Sequence, residues 1–356
     1  MTDLDVRSTL WHGVGEPVTV QRLDGPVPLP AGGVLVAIEA ATVCGSDLHT
    51  ALGHRPGPAP SVLGHEQVGH VVALGPGAPA PTVTGAPVAV GDRVVWSVAA
   101  SCGTCDRCAS GLPQKCRALR KYGHEESTPD WPLNGGFATH CVLLPGTGIA
   151  VVPDTMPATV AAPAACATAT VAAALDAVDR PLAGTRVLVT GAGMLGITAV
   201  AMAAAAGATV TVSDPNAQRR ARAVCFGADR AVSPGDPVGT VDVAIELSGY
   251  ADAVETAVDA LDVGGTAVLV GAVSSSRPVS LDPERIVRGL LRIVGVHNYA
   301  PQHLATAVAF LAETDLPFAD LVEPAVGLDG VAHAVVTPPS SGYLRRAIVP
   351  TATPTP

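Results

Sequence analysis

At 356 residues the chain is long enough for two domains, and 48% hydrophobic residues supply ample core. Only 15% of residues are charged, which excludes the polar, highly charged make-up of a disordered polymer. The formal net charge is −10, only Lys115 and Lys121 are lysines, and the arginines are scattered, so the basic stripe that nucleic-acid binding needs is missing.

The N-terminal MTDLDVRSTL carries charges where a signal peptide has an apolar core, so no export signal is expected. No stretch approaches the roughly 20 uninterrupted apolar residues of a membrane span. The longest apolar run, 197–206, fits a helix buried in a domain. The expectation is a cytoplasmic protein without nucleic-acid or membrane partners.

The first ~150 residues read as β-rich. Short runs at 34–38, 68–74 and 93–96 are separated by Pro and Gly, and 76–81 can only be loop. From about Val160 the rhythm changes. An Ala-rich helix is expected over 161–178, then a strand at 186–190, a glycine turn, a helix at 195–206 and a strand at 209–213. Further strands are expected at 241–247, 266–270 and 292–296, a helix at 303–312, and a last strand at 346–349. This alternation predicts a doubly wound parallel sheet covered by helices on both faces. No internal repeat is present.

Gly191-Ala-Gly193-Met194-Leu195-Gly196 follows an apolar strand and opens a helix. The first glycine permits the tight turn, the second lets the backbone approach a pyrophosphate, and the third lets helix and strand pack closely. The helix N-terminus offers free N–H groups and the positive end of its dipole to phosphates. Asp214 ends the next strand, where a carboxylate accepts the ribose hydroxyls and repels a 2′-phosphate, favouring NAD over NADP. Arg219 and Arg220 leave an opening for NADP. The competing role for Asp214 is the N-cap of a helix at 216–223.

Eight cysteines in a reducing compartment point to metal before disulfides. Cys102-x2-Cys105-x2-Cys108-x7-Cys116 can close a tetrahedral thiolate shell around structural zinc, with bends at Gly103 and Gly111. An iron–sulfur cluster or unliganded thiols are the rivals for this spacing. Cys141 and Cys225 lack partner spacing and read as small buried hydrophobes. Three further segments each carry a candidate ligand: Cys44-Gly-Ser46-Asp47-Leu-His49, Gly64-His65-Glu66-x2-Gly69-x5-Gly75, and Cys166-Ala-Thr168-Ala-Thr170. Cys44, His65 and Cys166 make a two-sulfur, one-nitrogen set of the kind that holds a catalytic zinc with one open position.

On these motifs the chain resembles the medium-chain zinc-dependent alcohol dehydrogenases over essentially its full length. The resemblance implies a GroES-like catalytic domain at 1–167 and 301–356, with a zinc lobe at 99–118, and a Rossmann NAD-binding domain at 168–300. It implies two zincs per chain: Cys44, His65 and Cys166 as catalytic ligands with Glu66 as an alternate ligand, and the four-cysteine lobe as a closed structural site. It further implies Asp47 as the carboxylate orienting His65, Ser46 as the hydroxyl taking the substrate proton, and His49 as the solvent end of that relay. Thr170 would pack against the nicotinamide. Zinc would act as a Lewis acid toward the alcohol or carbonyl oxygen while hydride moves to or from the cofactor. Taken alone, His49 would read as a surface histidine and Ser46 as a turn hydroxyl.

The pocket residues expected are Leu48, Val98, Tyr122, His124, Trp131 and the run His297-Asn298-Tyr299, more polar than simple aliphatic alcohols require. A polar or anionic alcohol, aldehyde or ketone is expected as substrate. The segments 121–125 and 295–299 also resemble a phosphonate-associated alcohol dehydrogenase subgroup. Two other readings stay open: a reductase of the same fold acting on an imine or conjugated alkene, and an inactive binding protein of that fold. The family resemblance implies a homodimer or homotetramer, with 292–296 as the edge strand for assembly.

Overall fold

The computed structural model describes residues 5–77, 79–273 and 277–350; Ala78, in the expected loop at 76–81, lies outside them. The chain divides into two compact units, Met1–Cys166 with Ala300–Pro356, and Ala167–Tyr299.

The first unit is built on an eight-stranded sheet. Its order is Val322–Val326, Arg345–Ile348, Val34–Thr42, Glu66–Leu74, Arg93–Ala100 and Arg120–Lys121, with His140–Leu143 paired to Val34–Thr42 and Thr147–Val151 paired to Arg93–Ala100. Pairing is antiparallel except between Val322–Val326 and Arg345–Ile348. Val36, Val94, Trp96, Val142 and Leu143 are buried together and form one core of this unit. At Gly69 a Cβ would come within 2.2 Å of the Ala37 carbonyl oxygen, so the spacing of that glycine after His65 is fixed by strand packing. The hairpin Arg7–Trp11 with Val18–Arg22 was not expected from the sequence. Its second strand is mostly exposed, and the alternation Val18-Thr19-Val20-Gln21 is too brief to mark it as a strand.

The second unit is a six-stranded parallel sheet in the order Arg230–Val232, Thr209–Ser213, Arg186–Thr190, Val241–Glu246, Leu261–Leu269, Arg292–Gly295. The direction of progress reverses between Arg186–Thr190 and Val241–Glu246, which makes their carboxyl ends the switch point where doubly wound sheets bind ligands. Helices Met194–Ala205, Ala217–Cys225 and Ala251–Asp259 follow the strands. The three-residue strand Arg230–Val232 was missed because it is too short to show a period.

The expected continuous helix at 161–178 is broken. Ala158–Ala161 and the tighter turn Ala162–Ala165 precede Cys166, whose backbone leaves the helical region (φ −133°, ψ −70°), before helix Ala167–Asp176 resumes. Pro163 is the cause legible in the sequence, since it lacks an N–H and crowds the preceding turn. Cys225 is exposed, which corrects its reading as a buried residue, whereas Cys141 is fully buried. Among the described residues no single helix is long and apolar enough to cross a membrane.

Candidate metal and cofactor sites

Cys44 caps the short helix Gly45–Ala51, and Asp47 in its first turn accepts the Cys44 N–H at 2.8 Å. The other Asp47 oxygen accepts the Gly64 N–H at 3.2 Å and lies 3.3 Å from His65 Nδ1, an ion-pair distance off the line of a hydrogen bond. One fully buried carboxylate therefore ties two distant segments together. Gly64 sits at φ +93° with Phe137 where a side chain would be, and this turn delivers His65 to the start of strand Glu66–Leu74. Cys166 arrives from the helix break described above.

The Cys44 and Cys166 sulfurs and a His65 ring nitrogen all lie within 4.8 Å of one another. Cys44 and His65 are buried, Cys166 partly so. A hydrogen bond from the Cys166 thiol holds Cys44 well below the usual thiol range, against burial and with help from Arg345 and His65. Donating that bond, together with burial, pushes Cys166 well up. Burial alone would lower His65, but Asp47 and the Cys44 sulfur raise it well above an ordinary histidine. Two thiols and an imidazole competing for protons in a buried cluster form a donor set that a borderline-soft dication such as zinc resolves by displacing those protons. The residues present fit zinc.

Ser46 Oγ lies 3.2 Å from His65 Nε2, beside the convergence of ligand atoms. His49, one turn further along the helix, is exposed, with its ring centroid 5.7 Å from that of His54. Glu66 is fully buried and faces a partner that sequence reading missed. Arg345 grips it with Nε to Oε2 at 2.8 Å and Nη2 to Oε1 at 3.0 Å, and Thr42 Oγ1 donates to Oε2 at 2.7 Å. The same guanidinium reaches Cys44 Sγ at 3.5 Å. Burial lifts Glu66 to about 7 despite the pull of Arg345. In this structure Glu66 is thus committed to Arg345, and service as an alternate ligand would require breaking that pair.

The four-cysteine lobe is compact. Cys105 lies 3.5 Å from Cys108 and 3.8 Å from Cys116 between sulfurs, and Cys116 lies 3.4 Å from Cys102. The backbone amides of Cys102 and Ala118 point at Cys116 Sγ at 3.2 and 3.3 Å, as amides do toward thiolates. Gly103 and Gly111 take positive φ, making the bends expected of them. Hydrogen bonds from Thr104 draw Cys102 down to about 6, while desolvation and neighbouring sulfurs push Cys108 to about 12. All four ligand atoms lie within 4.8 Å of one another, leaving a closed shell suited to structural zinc.

In the second unit Gly191 turns at φ +94° and Gly193 caps helix Met194–Ala205, so the amides of Met194 and Leu195 open its first turn. A Cβ on Gly196 would lie 1.8 Å from the Gly191 carbonyl oxygen; no side chain fits there. Asp214 is buried and accepts the Ala192 N–H at 2.7 Å and the Asn216 N–H at 2.8 Å. The competing role for Asp214 as helix cap is corrected: Asn216 is the cap, accepting from Gln218 and Arg219. Arg219 is exposed, and Arg220 turns back to the Asp214 carbonyl at 2.7 Å. Thr170 is buried on helix Ala167–Asp176.

Sequence reading also missed Glu246, a fully buried acid at the end of strand Val241–Glu246. Its Oε1 gathers the Ser248 N–H and hydroxyl, each at 2.6 Å, and the Gly249 N–H at 2.7 Å, pinning the turn that abuts Gly191.

The expected pocket list needs revision. His124 does lie against the candidate metal ligands, its ring centroid 4.5 Å from that of His65. Leu48 packs beside the group containing Trp11, Leu63 and Phe137. Tyr122 and Trp131 are core instead: the Tyr122 hydroxyl is 2.6 Å from Thr147 Oγ1, and Trp131 Nε1 donates to the Val142 carbonyl at 2.9 Å. Buried aromatics with a satisfied polar end act as pillars of the sheet. Val98 is 6% exposed. His297, Asn298 and Tyr299 belong to the second unit, where Asn298 takes φ +57° and Tyr299 is buried.

Residues 30–154 match the family model of the alcohol dehydrogenase GroES-like domain, and residues 195–313 that of the zinc-binding dehydrogenases. The chain is 32% identical over 302 residues to L-threonine 3-dehydrogenase of Thermococcus kodakarensis, covering 80% of this chain and 79% of that one. Among solved structures, an alcohol dehydrogenase from Thermotoga maritima superposes with a TM-score of 0.90 at 26% identity, covering 98% of this chain and 100% of the other. A zinc-binding dehydrogenase from Sinorhizobium meliloti 1021 bound to NADP gives 0.85 at 28% identity, again covering 98% and 100%.

Proposed function

We propose, from the premise that the chain belongs to the medium-chain zinc-dependent alcohol dehydrogenase family, that it moves a hydride between NAD(H) and a polar primary or secondary alcohol or the matching aldehyde or ketone. The observation that carries this reading is the convergence of Cys44, His65 and Cys166 within 4.8 Å, beside the Ser46 hydroxyl. Zinc held by these three residues supplies Lewis-acid polarisation of the substrate oxygen. Asp47 fixes the His65 ring, and Ser46 Oγ accepts the alcohol proton. His49, one helical turn on and exposed, passes it to solvent. Arg345 holds Glu66 in place and reaches Cys44 Sγ with the same guanidinium. A second zinc in the four-cysteine lobe stabilises the first unit without chemistry.

NAD is preferred in this reading because Asp214 sits at the end of strand Thr209–Ser213 with its carboxylate against the glycine turn. The rival is NADP, favoured by the exposed Arg219 and by the NADP found in the Sinorhizobium relative. Asp214→Ala separates the two. If Asp214 holds the ribose, KM for NAD rises about tenfold to hundredfold, the worth of a charge-assisted hydrogen bond or two. KM for NADP would stay level or fall. A wild-type preference for NADP, undisturbed by the substitution, would reverse the assignment.

The polar substrate rests on His124 beside His65 and on the threonine specificity in the name of the Thermococcus relative. Turnover of a panel of alcohols and carbonyls, followed by nicotinamide absorbance on protein of measured zinc content, is the direct test.

A further inference from the structure

We propose that the substrate carries an oxyanion group (carboxylate, phosphonate or phosphate) received by Arg55 and Lys121 beside His124. This specificity device rests on the dehydrogenase reading above and narrows it. His124 marks the place, since its ring packs against His65, a residue of the candidate metal set. Lys121 stands three residues before His124 in the chain, and the positive charges of Arg55 and Lys121 bear on each other. Both residues are half-buried, and neither cationic head has a hydrogen-bond or ion-pair partner among the described residues. The nearby carboxylate, Glu125, is already spent on the Arg120 guanidinium and on the Lys121 backbone N–H.

Both cations stand on anchored backbone. Lys121 belongs to the short strand Arg120–Lys121, paired with Ala99 and Ala100. The Arg55 N–H donates to the His49 carbonyl at 3.0 Å, tying it to the helix that presents Ser46 and His49. In a chain of net charge −10 with only two lysines, two unpaired cations held together are electrostatically costly. An oxyanion between them offsets that cost through charge-assisted hydrogen bonds, bidentate in the case of Arg55.

The test uses full-length, zinc-loaded protein and matched substrate pairs: 3-hydroxybutyrate against 2-butanol, 4-hydroxybutyrate against 1-butanol, and 2-hydroxyethylphosphonate against ethanol. The anionic member is expected to show kcat/KM at least about tenfold above its neutral partner. That ratio should fall about tenfold or more in Arg55→Met and in Lys121→Met, through KM, and Arg55→Lys should restore part of it. The two carboxylate pairs and the phosphonate pair tell which oxyanion is used. A ratio near or below one, or a ratio unmoved in both variants, would overturn the proposal. That includes the case in which the variants raise only the KM for cofactor. If no member of any pair reduces NAD or NADP, the dehydrogenase reading itself fails and this inference falls with it.

Discussion

His65→Ala is expected to lower kcat/KM for alcohol oxidation by about a thousandfold or more, the several kcal/mol that metal polarisation of a reacting oxygen contributes. His65 supplies the nitrogen of a set whose other members are the sulfurs of Cys44 and Cys166, so its loss leaves too few donors for an open zinc site. Zinc content should fall by half, because the four-cysteine lobe lies in a separate segment with its own complete shell. Secondary structure by circular dichroism should stay as in the wild type. Full zinc content with full activity in this variant would remove His65 from the site.

Arg345→Met should cost about 3–5 kcal/mol of stability, as expected when one partner of a buried ion pair is removed and the other charge is left behind. Glu66 would keep only the Thr42 hydroxyl. In a domain of this size the melting temperature should fall by about 6–20 °C. The loss should also depend on pH. Glu66 already titrates near 7 because of burial, opposed by Arg345, and removing the guanidinium raises that value further. A group whose folded pKa lies above its unfolded one loses stability as pH rises toward the folded value. The deficit should therefore be smaller at pH 6 than at pH 8, and Glu66→Gln added to Arg345→Met should recover part of it. A variant that melts with the wild type across that range would show that the pair contributes little.

The contrast between these residues explains what the sequence could reveal. The glycine turn and the four-cysteine lobe are local: their chemistry is written in gaps of one to seven intervening residues. Cys44 and His65 were legible because each stands in a segment dense with Gly, Asp or Glu. Cys166 carries no spacing of its own in its alanine run, and was legible only as the third donor that completes a set with Cys44 and His65. Arg345 and Glu66 are 279 residues apart, and nothing in either segment points to the other. Arg55 escaped for a similar reason, as its significance lies in what surrounds His124. Tyr122 and Trp131 were misplaced into the pocket because an aromatic beside a histidine looks alike in sequence whether it faces substrate or core. Asp214 shows the finer limit: its position was readable, but only the Asn216 cap two residues on separates the two roles it could have filled.

The central claim, a zinc-dependent dehydrogenase whose chemistry resides at Cys44, His65 and Cys166, is tested most directly by zinc removal and return in the wild-type protein. Zinc per chain and nicotinamide-linked turnover are measured together while a chelator strips the open site, and again after zinc is restored. Activity should vanish with loss of the first zinc, while the lobe keeps the second, and should return in proportion to zinc re-bound. Undiminished hydride transfer after that zinc has gone would contradict the account.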